Sequence, residues 1–312
     1  AMNRRTFART VAAVLAGLGL PAHGRGASTL PTRRLGRTGL QVPILALGGH
    51  HVGRAASEAD ARVLVETAFD QGIRFFDNAE SYQNGKAERW LGAALEGVRS
   101  EVLIMSKTHS PRDRSADSAR RHLEGSLERL RTDYLDVWQL HSTKSVEDVD
   151  RAFRDGGAME YILHAKEEGL VRFVGVTGHV TPAAHRRALK YWDEGWQFDT
   201  FQFPINPIDY HQRSFQRQVL VDIVARDIGM IAMKTSADGR LLREGICTIE
   251  ETLRYAWSLP VNVAVVGMER PDLVRHNARL AREFEPMSPA DLQALRDRIQ
   301  PDADLALEWY KT

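Results

Sequence analysis

Eight short β-prone runs recur along this chain, each followed by a longer stretch with helical spacing, and that recurrence leaves few folds open. The runs cover residues 44–47, 74–76, 102–106, 135–140, 173–176, 200–203, 230–233 and 261–266. Their starts lie roughly 27 to 38 residues apart, the length of one strand–helix unit. Helical stretches fall at 58–71, 87–95, 115–131, 159–168, 182–194, 215–226 and 249–258. In one of them Leu123, Ser126, Leu127 and Leu130 recur on a single face. Strands joined by helical crossovers are parallel, and eight of them predict a closed (β/α)8 barrel, a TIM barrel. An open doubly wound sheet is the competing arrangement, but no G-x-G-x-x-G opens a helix.

Two further pieces lie outside the eight units. Residues 33–42 read as a small hairpin turning at Thr38-Gly39, placed to plug the barrel bottom. Ser288-Pro289-Ala290-Asp291 is an N-cap with proline at the first helical position, so an extra helix runs from there to about Ile299. Residues 301–312 then carry Trp309 and Tyr310. No linker or low-complexity stretch divides this region, so 29–312 reads as one barrel domain.

Residues 1–28 read differently. Asn3-Arg4-Arg5-Thr6-Phe7 precedes a weakly apolar run over 10–20 and a small-residue exit, the pattern of a twin-arginine export signal. Cleavage is expected between Ala22 and Ser28, with a periplasmic or secreted product, or a cytoplasmic one if the signal does not operate. The run is too short for a permanent membrane anchor.

Composition narrows the function. Forty-two basic residues against 41 acidic ones leave a net charge of +1 and no footprint for nucleic acid. A single cysteine, Cys247, excludes internal disulfides and multi-cysteine metal sites.

Parallel barrel strands deliver their C-terminal ends to one shared cleft. Asp77, Lys107 and His141 each close one of the predicted strands, and Tyr82 follows Asp77 in the loop. A free phenol ionises near pH 10, too high to shuttle protons at neutral pH; a nearby ammonium held by a carboxylate is expected to lower it. Tyr82, Lys107 and Asp77 supply that set, and the His141 imidazole can orient a carbonyl oxygen. Such a site suits adding a proton to that oxygen while hydride reaches the carbon, and hydride needs a cofactor. Each residue also has an ordinary reading, as a helix cap, a surface ion pair or packing.

His50, His51, His109, His141, His179 and His211 all fall at or beyond predicted strand ends, which leaves a metal-dependent barrel hydrolase as a different class. Adjacent His50 and His51 cannot both face inward from a regular strand, and no aspartate closes the eighth run, so no metal site is expected. His50, His51 and His109 are better candidates for a polar substrate pocket, with Trp138 and Trp309 as aromatic lining. A ligand-sensing barrel with little turnover is a third class, against which the full quartet speaks.

Phe75-Phe76-Asp77-Asn78-Ala79-Glu80-Ser81-Tyr82 and Ala87-Glu88-Arg89-Trp90-Leu91-Gly92 resemble the second strand, loop and helix of the aldo-keto reductases. Ile104-Met105-Ser106-Lys107 resembles that family's third strand, and Asp133-Tyr134-Leu135-Asp136 with His141 its fourth. The resemblance runs from Arg34 to about Ala281. It implies a (β/α)8 barrel that binds an extended NADP(H), or less often NAD(H), without a Rossmann domain. It also implies Tyr82 as general acid, Lys107 and Asp77 as its tuning pair, and His141 as the group that positions the carbonyl. Small-molecule carbonyls, alcohols or sugar-like compounds are the implied substrates.

By the same resemblance Thr177, Gly178 and Gln202 hold the nicotinamide amide, although Gly178 lacks the side-chain amide usual there. Met233 replaces the stacking aromatic ring, and Lys234, Ser236 and Gly239 follow it along the dinucleotide. Gly49 and Asp77 lie on its near side. Gly267, Met268, Arg270 and Asn277 match the adenosine-phosphate segment, where Leu273 replaces a common arginine. Glu269 disfavours a 2′-phosphate, whereas Arg270 and Arg275 favour one, and NADP(H) is expected over NAD(H). An exported member is expected to retain its nucleotide. The alternative to carbonyl reduction is then a redox-neutral isomerisation or epimerisation.

Overall fold

A computed structural model describes residues 29–108 and 112–312. Eight parallel strands close into a barrel: β3 (Leu45–Gly48), β4 (Phe75–Asp77), β5 (Leu103–Lys107), β6 (Leu135–Leu140), β7 (Val171–Thr177), β8 (Thr200–Pro204), β9 (Gly229–Met233) and β10 (Val263–Val266). Each pairs with its neighbour in sequence, and β10 pairs back to β3 with Val265 opposite Ala46. All eight expected strands are present, with ends shifted by a residue or two, the usual uncertainty of a boundary.

The strands are buried on both faces, and their two faces belong to different cores. Phe76, Trp138, Phe201 and Phe203 point outward and pack beneath the helical shell. Ala46, Phe75, Met105, Val137, Ile231, Val263 and Val265 point inward and fill the lower barrel. Helix starts are capped as the sequence suggests: Ser57, Ser115 and Thr181 each accept a backbone N–H of the following turn. Ser288 and Asp291 form a reciprocal capping box before Pro289–Ile299. Four helices lie outside the expected stretches, the single turns Gly49–Val52 and Arg240–Arg243 and the longer Val146–Phe153 and Pro271–Arg282, and the 215–226 helix opens with a π turn over Gln216–Leu220.

The hairpin expected at the bottom consists of β1 (Thr32–Arg34) and β2 (Gln41–Pro43), antiparallel with Arg33 opposite Val42. Its turn ends at Gly39, whose φ of 74° is open to glycine at no steric cost. Leu35 leads the plug: it is fully buried against Val42 and the inward-facing strand residues. Gly36 approaches β9 so closely that a β-carbon there would stand 2.2 Å from the Gly229 nitrogen. Among the described residues no helix is long and apolar enough to cross a membrane.

Candidate active site

Period-two alternation decides which side chains reach the barrel mouth. In β4, Phe75 points in and Phe76 out, so Asp77 points in again one level higher. In β5, Met105 points in and Ser106 faces the helices, which returns Lys107 to the interior. In β6, Val137 points in and Trp138 out, and His141 follows just beyond Leu140. Tyr82 arrives from the loop after β4, ahead of Gln83 and Asn84 with φ of 47° and 54°.

Lys107 forms a buried ion pair with Asp77 and donates a second hydrogen bond to the Asn78 carbonyl oxygen at 2.6 Å. Burial pushes the Asp77 carboxyl up and the Lys107 ammonium down, and the attraction between them opposes both shifts. The Lys107 Nζ lies 5.3 Å from the centre of the Tyr82 ring. Burial, with the Asp77 charge, holds the Tyr82 phenol well above its ordinary value. This corrects the expectation that Lys107 lowers it. The ammonium is engaged by Asp77 and Asn78, and the phenol stays protonated at neutral pH.

Tyr82 stands between two imidazoles, edge to face with His50 at 5.2 Å and with His141 at 6.1 Å between ring centres. The His141 backbone N–H donates to the Thr108 hydroxyl at 3.2 Å. His50 and His51 occupy a helical turn, Gly49–Val52, rather than the strand, with their rings 5.5 Å apart. The objection that adjacent residues cannot share a strand face therefore does not apply to them. Burial first, then His51, Arg54 and Lys234, pushes His50 down; burial also pushes His51 down, against the pull of Glu269 at 3.5 Å. Both are neutral imidazoles at neutral pH. Among the described residues no group of three or more His, Cys, Asp or Glu side chains could hold a metal ion.

One pocket expectation changes, and one of the strand-end histidines lies elsewhere. Trp138 does not line the mouth: strand alternation turns it outward, fully buried and edge-on to Tyr161. His211 turns away to the Arg296 carbonyl oxygen at 3.0 Å. His109 lies outside the described residues, as do residues 1–28. Trp309 is 48% exposed and sits 5.7 Å from the Lys234 Nζ.

The residues expected along a dinucleotide follow the strand ends from β7 to β10 and on to β3. Thr177 closes β7 and Gln202 lies in β8, both buried. Gly178 leaves no vacancy: a β-carbon there would stand 2.5 Å from the Thr143 hydroxyl oxygen and 3.0 Å from the His185 ring. Half-buried Met233 closes β9, and Lys234 pairs with Asp238 at 3.0 Å. Ser236 and Gly239 follow in the same turn. Gly49 and Gly267 are close-approach points, since β-carbons there would stand 2.4 Å from the Asp77 carbonyl oxygen and 2.1 Å from the His51 ring. The Met268 side chain is buried in the outer core, which leaves its backbone alone to face a ligand. Arg270 is exposed and paired with Asp272 at 2.9 Å, and Leu273 packs on the core. Asn277 is buried within the helix Pro271–Arg282.

Sequence reasoning missed the groups behind these residues. Glu88 is a fully buried carboxylate that accepts from Ser106, next to Lys107, at 2.5 Å and from Arg129 at 2.7 Å. A glutamate on the buried face of an amphipathic helix was the available signal. Nothing local marked Asn78, Thr143 and His185, whose contacts come from distant strands.

The fold and mouth define a (β/α)8 barrel whose C-terminal face gathers a phenol, an ammonium, a carboxylate and imidazoles. The chain belongs to the aldo/keto reductase family, whose sequence model matches residues 44–249. L-galactose dehydrogenase of Arabidopsis thaliana is 34% identical over 158 residues, 47% of this chain and 48% of that protein. The chain spans about half the length of the first curated relatives it matches. A putative aldo-keto reductase structure from Pseudomonas aeruginosa superposes with a TM-score of 0.66 at 29% identity, over 82% of this chain and 97% of that one. An aldo-keto reductase from Klebsiella pneumoniae, solved in complex with NADPH, shares the fold with a TM-score of 0.69 at 24% identity, over 86% and 95%.

Proposed function

We propose that the protein is a nicotinamide-dependent oxidoreductase that interconverts a carbonyl and an alcohol, with Tyr82 as the proton-transferring group. The observation that carries this reading is a phenol at the barrel mouth, beside His141 and 5.3 Å from the ammonium of the buried Lys107–Asp77 pair. In the reducing direction Tyr82 gives its proton to the carbonyl oxygen, and His141 orients that oxygen by hydrogen bonding. The phenolate left behind is half-buried near the Asp77 charge, with the Lys107 ammonium 5.3 Å from the ring centre. In the oxidising direction the same phenolate takes the alcohol proton. His50, neutral and beside Tyr82, with His51 packed edge-on against it, suits hydroxyl groups next to the reacting carbon. That favours sugar-like substrates, in keeping with a relative named for a sugar.

A bound nicotinamide supplies or removes the hydride. Two observations make the cleft fit such a group. Gln202 Oε1 and Asn277 Oδ1 are buried oxygens with no protein partner, placed where the amide and the adenine are expected. Thr177 and Gln202 would hold the amide, Met233 would cover the ring, and Lys234, Ser236 and Gly239 would follow the pyrophosphate. Arg270, exposed at the start of its helix, would meet a 2′-phosphate, which favours NADP(H) over NAD(H). Titrating the purified protein with NADPH and NADH tests the reading. Binding of neither defeats it, and a clear preference for NADH overturns the choice between them.

Export through residues 1–28 is part of the proposal on sequence grounds, because Arg4-Arg5 precedes an apolar run and a small-residue exit.

A further inference from the structure

Lys311 is fully buried, although lysine is among the residues least often found so. Its ammonium reaches Asp209 at 2.6 Å, Glu308 at 2.6 Å and the Gln212 carbonyl oxygen at 3.1 Å. Asp209 and Glu308 are themselves fully buried, so two carboxylates share one cation. Neither carboxylate is otherwise idle. Asp209 accepts the backbone N–H groups of Phe215 and Gln216, both at 3.1 Å, and Glu308 accepts from Asn206 at 2.9 Å and from the Tyr310 hydroxyl at 2.9 Å. Removing one member of such a set strands the others in a dry interior, so the members depend on one another.

The cluster fastens residues 303–312 to one part of the mouth in particular. The Asn206 amide, bonded to Glu308, also reaches the Lys234 carbonyl oxygen at 3.2 Å. Arg240 donates to the Ala306 carbonyl oxygen at 2.9 Å, and the Lys234 ammonium lies 5.3 Å from the Tyr310 ring and 5.7 Å from the Trp309 ring. His179, beyond β7, shares a hydrogen bond of 2.9 Å with the Tyr310 carbonyl oxygen. Residues 234–240 are thus held at both ends by 303–312. Within them Lys234, Ala237 and Asp238 take φ of 55°, 49° and 60°, left-handed values that non-glycine residues keep only where their surroundings impose them.

Residues 234–239 are also where the proposed dinucleotide runs. We propose that the buried Lys311–Asp209–Glu308 cluster is a latch that pins residues 303–312 across this segment, so that a bound nicotinamide dinucleotide leaves only when the latch opens. The inference rests on the cofactor reading above. Lys311 and Trp309 act here as positioning residues.

The test is the release rate of bound NADPH, followed by fluorescence after displacement with excess NADP⁺, in wild type, Lys311→Met and Trp309→Ala. Both variants should release NADPH at least about tenfold faster, since changes at a binding surface act mainly on dissociation. Hydrogen exchange over residues 234–240 should rise in parallel, with no substrate present. Unchanged release in variants that bind NADPH overturns the latch alone. Failure of the wild type to bind NADPH or NADH overturns both the latch and the cofactor reading. Should Lys311→Met not fold, the half-exposed Trp309→Ala carries the same decision.

Discussion

Gly178 and Thr143 occupy one space: a β-carbon on the glycine would stand 2.5 Å from the threonine hydroxyl oxygen and 2.6 Å from its carbonyl oxygen. A side-chain amide at this position would need room that this chain has filled. Thr143 is itself tied to the same turn, its hydroxyl donating to the Thr177 carbonyl oxygen at 3.3 Å. Gly178→Asn should therefore destabilise the protein by about 1 to 3 kcal/mol, the usual cost of overpacking. Urea unfolding measures it. A variant of unchanged stability that bound dinucleotide more tightly would show that the space is open after all.

Tyr82→Phe removes the proton and leaves the ring between His50 and His141. Turnover should fall by roughly 10²- to 10⁴-fold, the range for loss of a general acid, with dinucleotide affinity little changed. Steady-state rates together with a binding titration separate the two quantities. Undiminished turnover would remove Tyr82 from the chemistry.

His185 is fully buried among Phe201, Phe203 and Phe215, and burial pushes its imidazole down to about 4 despite backbone groups of Thr181 and Gln202 nearby. Neither ring nitrogen makes a hydrogen bond of ordinary geometry within the protein. Between the unfolded value of 6.5 and the folded value of about 4, the unfolded chain binds the extra proton. Stability from this group is therefore complete above pH 6.5 and falls as the pH drops towards 4, by about 3 kcal/mol in all. His185→Phe should flatten that part of the stability curve. Unfolding free energies that change equally between pH 8 and pH 5 in both proteins would refute the assignment.

Changing Arg4 and Arg5 together to lysine should hold the protein in the cytoplasm, if the paired arginines are read as an export signal. Cell fractionation decides, with the wild type expected in the periplasm. Equal distribution of the two proteins would end the export proposal.

The barrel was legible because parallel strands buried on both faces leave predominantly apolar runs, and eight of these appear in order. Asp77, Lys107 and His141 were legible because each is a charged or titratable residue directly after the last position of such a run. Their proton chemistry was less so. Whether Lys107 acts on the Tyr82 hydroxyl or is engaged elsewhere depends on Asn78, whose carbonyl oxygen no pattern places beside the ammonium. Trp138 was misplaced because aromatic character three positions before His141 says nothing of which strand face it occupies. The Lys311 cluster escaped altogether, since it joins residues about 100 positions apart and each alone resembles a surface charge.

Leu35 closes the floor of the barrel, and its effect reaches the kinetics. With that end stoppered, molecules that react inside share a single doorway at the opposite face. Two guests using one doorway cannot come and go independently when one lies beneath the other. The deeper must arrive first and depart last. If the dinucleotide lies beneath the substrate, a compulsory order of binding, visible in product-inhibition patterns, is expected of a barrel closed below by Leu35 and the inward-facing core.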